Sequence, residues 1–198
     1  MCILLGFFLL PIHKRGKKQE QGIDKFTYVY QESVFPTFVV DVPVHTDLIL
    51  EHTSARPSTK RIIKYIVIHE TDNFEKGAGS WNHATYLKRN NQTATSWHYT
   101  VDDKEIYHHI PDDEIAHHAG DDEGNAYGIG IELCVNSDGD FEKTFDNAAK
   151  LVAHLIKAYK LNLDNLKTHH DFSGKDCPHT ILQKNRLTEF KRKVRKYL

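Results

Sequence analysis

The segment 62–68, IIKYIVI, constrains the fold more than any other part of the chain. Six of its seven residues are β-branched or aromatic. A run of that kind reads as a buried central strand of the sort found in sheets covered by helices. The remaining pattern supplies the other parts. A short helix is expected over 81–89, after the turn at Gly77 and Gly79. Segments 97–101 and 105–110 read as two strands of a hairpin, joined by a tight turn through Asp102, Asp103 and Lys104. Segment 128–135 reads as another buried strand, and its Gly128 and Gly130 imply that something approaches the backbone closely. After a turn at 136–139, Phe145, Ala148, Ala149, Val152, Leu155, Ile156 and Tyr159 recur at helical spacing, giving an amphipathic helix of about five turns. A short strand over 166–169 and a C-terminal helix over 182–197, with Leu187, Phe190, Val194 and Leu198 on one stripe, complete the set. The sum is α/β: one domain with a mixed central sheet flanked by helices.

Composition narrows the function classes. The 198 residues suffice for one domain with an extension. Basic and acidic residues number 26 and 27, for a net charge of -1. That balance argues against a dedicated nucleic-acid binder, and nothing in the pattern marks a stable protein partner, so a monomer is expected. The 14 histidines are the outlier, and histidine carries metals and protons near neutral pH. Three cysteines, Cys2, Cys134 and Cys177, do not make a disulfide framework. A free thiol is available as a metal ligand or a nucleophile.

The chain divides into a short hydrophobic run with a basic polar linker over 1–24, an irregular lead-in over 25–54 and a compact domain over 55–198. The apolar run ends by Pro11, well short of the about 20 residues that span a bilayer. It resembles the apolar part of a signal peptide without a cleavage site, and Lys14, Arg15, Lys17 and Lys18 follow it on the side where they oppose export. Segment 1–24 is expected to be dispensable for chemistry.

Two segments carry the chemistry. In 66–71, IVIHET, His69 stands at the C-terminal end of the buried strand, where open α/β sheets bind ligands. In 169–178, HHDFSGKDCP, a histidine pair is followed by Cys177, eight residues after His169. A strand-end histidine plus a histidine and a cysteine bracketing one loop can converge as three ligands with a fourth position open. On spacing alone, satisfied core histidines and an inert buried thiol remain the alternative.

These segments, together with 96–104, 117–120 and 129–136, resemble the zinc amidase family that includes phage T7 lysozyme, the animal peptidoglycan recognition proteins and the bacillus autolysins. The likeness is closest to the bacillus prophage and autolysin branch. Five blocks in the expected order span essentially the whole domain. The resemblance implies a peptidoglycan-recognition-protein/T7-lysozyme-like fold, one Zn2+ per chain, and N-acetylmuramoyl-L-alanine amidase activity on peptidoglycan outside the cytoplasmic membrane. It implies His69, His169 and Cys177 as metal ligands, with Glu132 and Lys175 as catalytic residues. Trp97 falls where the phage enzyme has a catalytic tyrosine, and His118 matches a histidine at the substrate cleft. Trp97, His98 and His118 are the candidate cleft residues. The rival readings are a peptidoglycan-binding module of the same fold that has lost the metal, which the presence of Cys177 opposes, and a cysteine peptidase using Cys177.

Overall fold

The computed structural model describes residues 28–198; segment 1–24, with the expectations placed on it, lies outside the described residues. Seven strands form one sheet in the order β1-β2-β5-β4-β6-β3-β7. They are β1 (Phe38–Val39), β2 (Val42–Thr46), β3 (Tyr65–Glu70), β4 (Tyr99–Val101), β5 (Ile106–His108), β6 (Gly128–Leu133) and β7 (Leu166–Thr168). Of the run at 62–68, residues 65–68 fall in β3, which begins three residues later than read and extends to Glu70; it lies between β6 and β7 and is parallel to both. Strands β4 and β5 form the expected antiparallel hairpin, and β4 also runs parallel to β6.

Period-two alternation gives the sheet two unlike faces. Ile66 and Ile68 of β3 and Ile129, Ile131 and Leu133 of β6 point into one continuous core. Val67, His69, Gly128, Gly130 and Glu132 therefore take the opposite face. The register sets His69 directly beside Glu132. The core face is covered by α3 (Phe141–Ala158), whose start is capped by the Asp140 side chain accepting from the Glu142 and Lys143 N–H groups. Helix α6 (Leu187–Tyr197) packs on α3, with the Phe145 and Phe190 rings edge to face at 5.0 Å. Burying one such ring contributes about 1.5–3 kcal/mol. The site face carries α1 (Ser80–Arg89), α2 (Asp122–Tyr127) and α4 (His169–Ser173), whereas α5 (His179–Gln183) buries Ile181 in the core.

Two expectations are corrected. The single C-terminal helix expected over 182–197 is two helices, α5 and α6, because Asn185 adopts the left-handed conformation, φ 53°, and ends the first. Leu198, placed on its apolar stripe, is 45% exposed. The lead-in over 25–54, read as irregular, contains β1 and β2, and β2 pairs in parallel with β5. Alternation between Val42 and Val44 was hidden by Pro43, which a sheet tolerates near its edge.

The lead-in is also anchored from outside the sheet. The Tyr30 and Ser33 hydroxyls donate to the buried Asp113 carboxylate. The Val34 N–H donates to the Tyr159 hydroxyl, which in turn donates to buried Asp112. A chain starting at residue 28 is therefore expected to melt cooperatively, whereas one starting at residue 55 would expose the β5 edge and leave Asp113 with Lys60 alone. Scanning calorimetry of the two chains checks this; a native-like transition from the shorter one would show the lead-in to be an accessory.

Candidate metal centre and cleft

His69, His169 and Cys177 come together at the bottom of a cleft, each brought there by a different local device. His69 is the fifth residue of β3 and is 1% exposed. His169 was expected at the end of a strand; it is instead the first residue of α4, whose start is a capping box between Thr168 and Asp171. Cys177 lies on the loop after α4, and Glu70 pins that loop. Both Glu70 carboxylate oxygens accept backbone N–H groups at the start of α5, from Thr180 at 2.8 Å and Ile181 at 2.9 Å. The residue beside the first candidate ligand thus holds the segment that carries the third. Nothing in the sequence marked Glu70 for this role, because its partners lie 110 residues away.

His69 Nδ1 stands 3.1 Å from His169 Nδ1 and 3.8 Å from Cys177 Sγ, and the three ligand atoms all lie within 4.8 Å of one another. Among the described residues this is the one His/Cys/Asp/Glu group with metal-holding geometry. Two imidazoles and a thiol make a donor set suited to zinc. Burial holds both histidines below their ordinary range, His69 well below, with the neighbouring imidazoles and Lys175 adding to it. They are therefore neutral and free to ligate. Burial pushes the Cys177 thiol up to about 12, with the Glu132 charge contributing. A thiol in that state is a poor nucleophile, and it becomes a thiolate only where a cation takes the proton's place.

The cleft above this cluster has a volume of about 640 Å³ and is lined by His169, Cys177, Glu132, Lys175, Trp97 and His118 among others. Glu132 stands on β6 next to His69. Its Oε2 is buried without a hydrogen-bond partner, and burial raises its carboxyl to about 8, Lys175 opposing the rise and Glu70 adding to it. An unpartnered carboxylate in such a place is costly unless a cation or a substrate proton answers it. Lys175 is exposed at the rim of the same cleft.

The remaining cleft candidates separate. The Trp97 indole forms part of the wall, but its N–H is spent on Thr100 Oγ1 at 2.7 Å. His118 lines the cleft with its ring next to His69. His98 is not a cleft residue: it is fully buried, with Nδ1 accepting from the Gly130 N–H and Nε2 held between Arg61 and the Glu114 carbonyl. His170 is exposed and outside the cluster, and Cys134 is buried 3.9 Å from His83. Sequence reasoning passed over Asn82, His83 and Tyr86 of α1, which line the cleft. Their i, i+1, i+4 spacing gives one helix face, but only the fold shows which way it points.

Residues 58–180 match the family model described as N-acetylmuramoyl-L-alanine amidase. Two curated relatives from Bacillus subtilis (strain 168) are similar. The chain is 44% identical to N-acetylmuramoyl-L-alanine amidase XlyA over 143 residues, covering 71% of this chain and 48% of the relative. It is 43% identical to N-acetylmuramoyl-L-alanine amidase CwlH over 144 residues, covering 71% and 57%. The chain thus spans about half the length of these relatives. The solved catalytic domain of XlyA superposes with a TM-score of 0.74 at 42% identity, over 77% of this chain and 99% of that one. PlyL superposes with a TM-score of 0.71 at 31% identity, over 77% and 97%. With the family model covering well over half of its length and the fold matching throughout that region, the chain belongs to the N-acetylmuramoyl-L-alanine amidase family.

Proposed function

We propose that this chain is a zinc-dependent cell-wall amidase that hydrolyses the bond between the lactyl carbonyl of N-acetylmuramoyl and L-alanine in peptidoglycan. The observation that carries the reading is the convergence of His69, His169 and Cys177 beneath a cleft walled by an unpartnered Glu132 carboxylate and Lys175. All of these groups come from one chain, which supports action as a monomer. The substrate lies outside the cytoplasmic membrane, so the site of action is the cell wall. Among the described residues no helix is long and apolar enough to cross a membrane.

In this reading His69, His169 and Cys177 would hold the ion. Bound there, zinc supplies Lewis-acid activation of water and carbonyl. Glu132 does the proton work. Its carboxyl takes a proton from the attacking water and hands it to the departing alanine nitrogen, so that the amine leaves neutral. Burial alone sets Glu132 too high for a base at neutral pH, and Lys175 pulls it down. A dication in the pocket acts in the same direction, toward the neutral range where general bases work best. Lys175, at the rim, presents its ammonium to the oxygen that gains charge as the carbonyl becomes tetrahedral.

The non-catalytic binding module is disfavoured because all three ligand candidates and both catalytic candidates, Glu132 and Lys175, are present. The cysteine peptidase is disfavoured because burial raises the Cys177 thiol rather than lowering it. Digestion of purified muropeptides, with and without a chelator, separates the three. The expected products are free stem peptide with an N-terminal alanine and intact glycan, identified by mass, with loss of activity in chelator and recovery on adding zinc. Chelator-resistant cleavage would overturn the zinc reading, and binding without cleavage would favour the module.

A further inference from the structure

Segment 128–133, GIGIEL, places two glycines on the site face of β6. What approaches them is the imidazole of His118. A Cβ at position 130 would fall 2.7 Å from both Cγ and Cδ2 of that ring, and a Cβ at position 128 would sit 3.4 Å from its Cε1. The ring thus lies on the strand in a slot that only glycine leaves open. Its backbone is held as well, because the N–H groups of His118 and Ala119 both donate to Asn125 Oδ1 at 2.8 Å.

Both nitrogens of this ring are occupied. Nε2 is 3.0 Å from the Gly128 carbonyl oxygen, and Nδ1 is 3.0 Å from His69 Nε2. A carbonyl only accepts, so His118 Nε2 carries hydrogen and donates. Neither nitrogen meets a carboxylate that could hold a second proton on the ring. Nδ1 therefore offers its lone pair, and His69 Nε2 must carry hydrogen to donate to it. That assignment leaves the lone pair of His69 on Nδ1, the atom that faces His169 and Cys177. The relay runs from the Gly128 carbonyl through His118 to His69, and it ends at the metal cluster.

We propose that His118 is a positioning residue which locks His69 into the Nε2–H tautomer and aims its Nδ1 lone pair at the metal site, with Gly130 as the slot that seats it. This rests on the zinc reading above and assigns His118 away from substrate contact. Partners of this kind orient ligating histidines and raise their basicity, and losing one typically weakens metal binding 10–100-fold.

The test compares zinc affinity, by competition with a chelating dye, in the full chain and in three variants. His118→Leu keeps approximate volume but has no acceptor, and should weaken zinc binding by roughly 10–100-fold. His118→Asn puts an amide oxygen near the place of Nδ1, and should recover most of that loss. Gly130→Ala pushes the ring off the strand and should behave like His118→Leu. Long-range proton–nitrogen NMR of the metal-free protein should find His69 as the Nε2–H tautomer in the native chain and as a mixture in His118→Leu. Native zinc affinity in a folded His118→Leu or Gly130→Ala protein would overturn the proposal, as would an Nδ1–H His69 in the native chain. If His118→Leu does not fold, Gly130→Ala and His118→Asn decide by the same measurement. Failure of the native chain to bind zinc would instead sink the zinc reading.

Discussion

Glu132→Gln is expected to lose two to four orders of magnitude in hydrolysis rate and, once stripped of metal, to melt at a higher temperature than the native chain. The loss follows from removing a positioned base, a contribution of roughly 10²–10⁴-fold. The gain follows from the same burial that makes the group useful. The carboxyl sits near 8 in the folded protein, against an ordinary 4.5. Between those values the folded state holds a proton that the unfolded chain has released. Stability therefore falls as pH rises from about 4.5 toward 8, and the full penalty is present above that range. At pH 7 the penalty is on the order of 3 kcal/mol, which corresponds to a rise of roughly 5–10 °C when an uncharged amide replaces the carboxyl. The advantage of the variant should shrink to nothing near pH 4, where both forms are neutral. Calorimetry in chelator from pH 4 to 8, with muropeptide turnover measured on the zinc-loaded proteins, checks both halves. A variant that turns over at near-native rate removes Glu132 from the chemistry. A melting difference that does not grow with pH shows that its carboxyl is not held neutral by the fold.

Cys177→Ala is expected to abolish stoichiometric zinc, and with it all turnover, while leaving the fold in place. The sulfur is one of only three protein donors in the cluster, and catalytic zinc sites rarely hold with fewer. Cys177→Asp should keep the metal, since a carboxylate is an accepted zinc ligand. It should therefore retain a measurable fraction of activity. Elemental analysis after dialysis, alongside turnover, separates the cases. If the alanine variant still carries one zinc per chain, the ligand set is wrong. If the aspartate variant is metal-free but native in its melting, the loop from Gly174 to Cys177 sets the donor position more tightly than the nature of the donor.

Much of this molecule is legible in the sequence because period and composition are local signals. The run at 62–68 reads as a buried strand, and its residues 65–68 lie in β3. The segment GIGIEL reads as a buried strand closely approached at its glycines, and the structure turns Ile129, Ile131 and Leu133 to the core and Gly128, Gly130 and Glu132 to the site. The spacing at Phe145 to Tyr159 implied α3. The motif order then brought out the family, and with it His69, His169, Cys177, Glu132 and Lys175 as the residues to examine. Where local signals conflicted, the reading failed. Pro43 masked β2, whose worth lies in its pairing with β5, and the helix read over 182–197 was carried through Asn185 although its left-handed backbone splits it.

Tertiary structure decided what depends on groups distant in the chain. Gly128 and Gly130 announced a close approach, but not by what; the answer, His118, comes from a loop ten residues before the strand. His98 and His118 both stand in segments that carry the family likeness, and both were candidates for the cleft. One is sealed from the cleft against Arg61 and the Glu114 carbonyl, and the other stands against His69. Glu70 and Glu132 are both strand carboxylates. The fold satisfies Glu70 with two backbone donors from α5 and leaves Glu132 Oε2 with none. A sequence records which side chains can ionise or ligate, whereas desolvation and hydrogen-bond partners, which decide whether they do, exist only once distant segments are packed together.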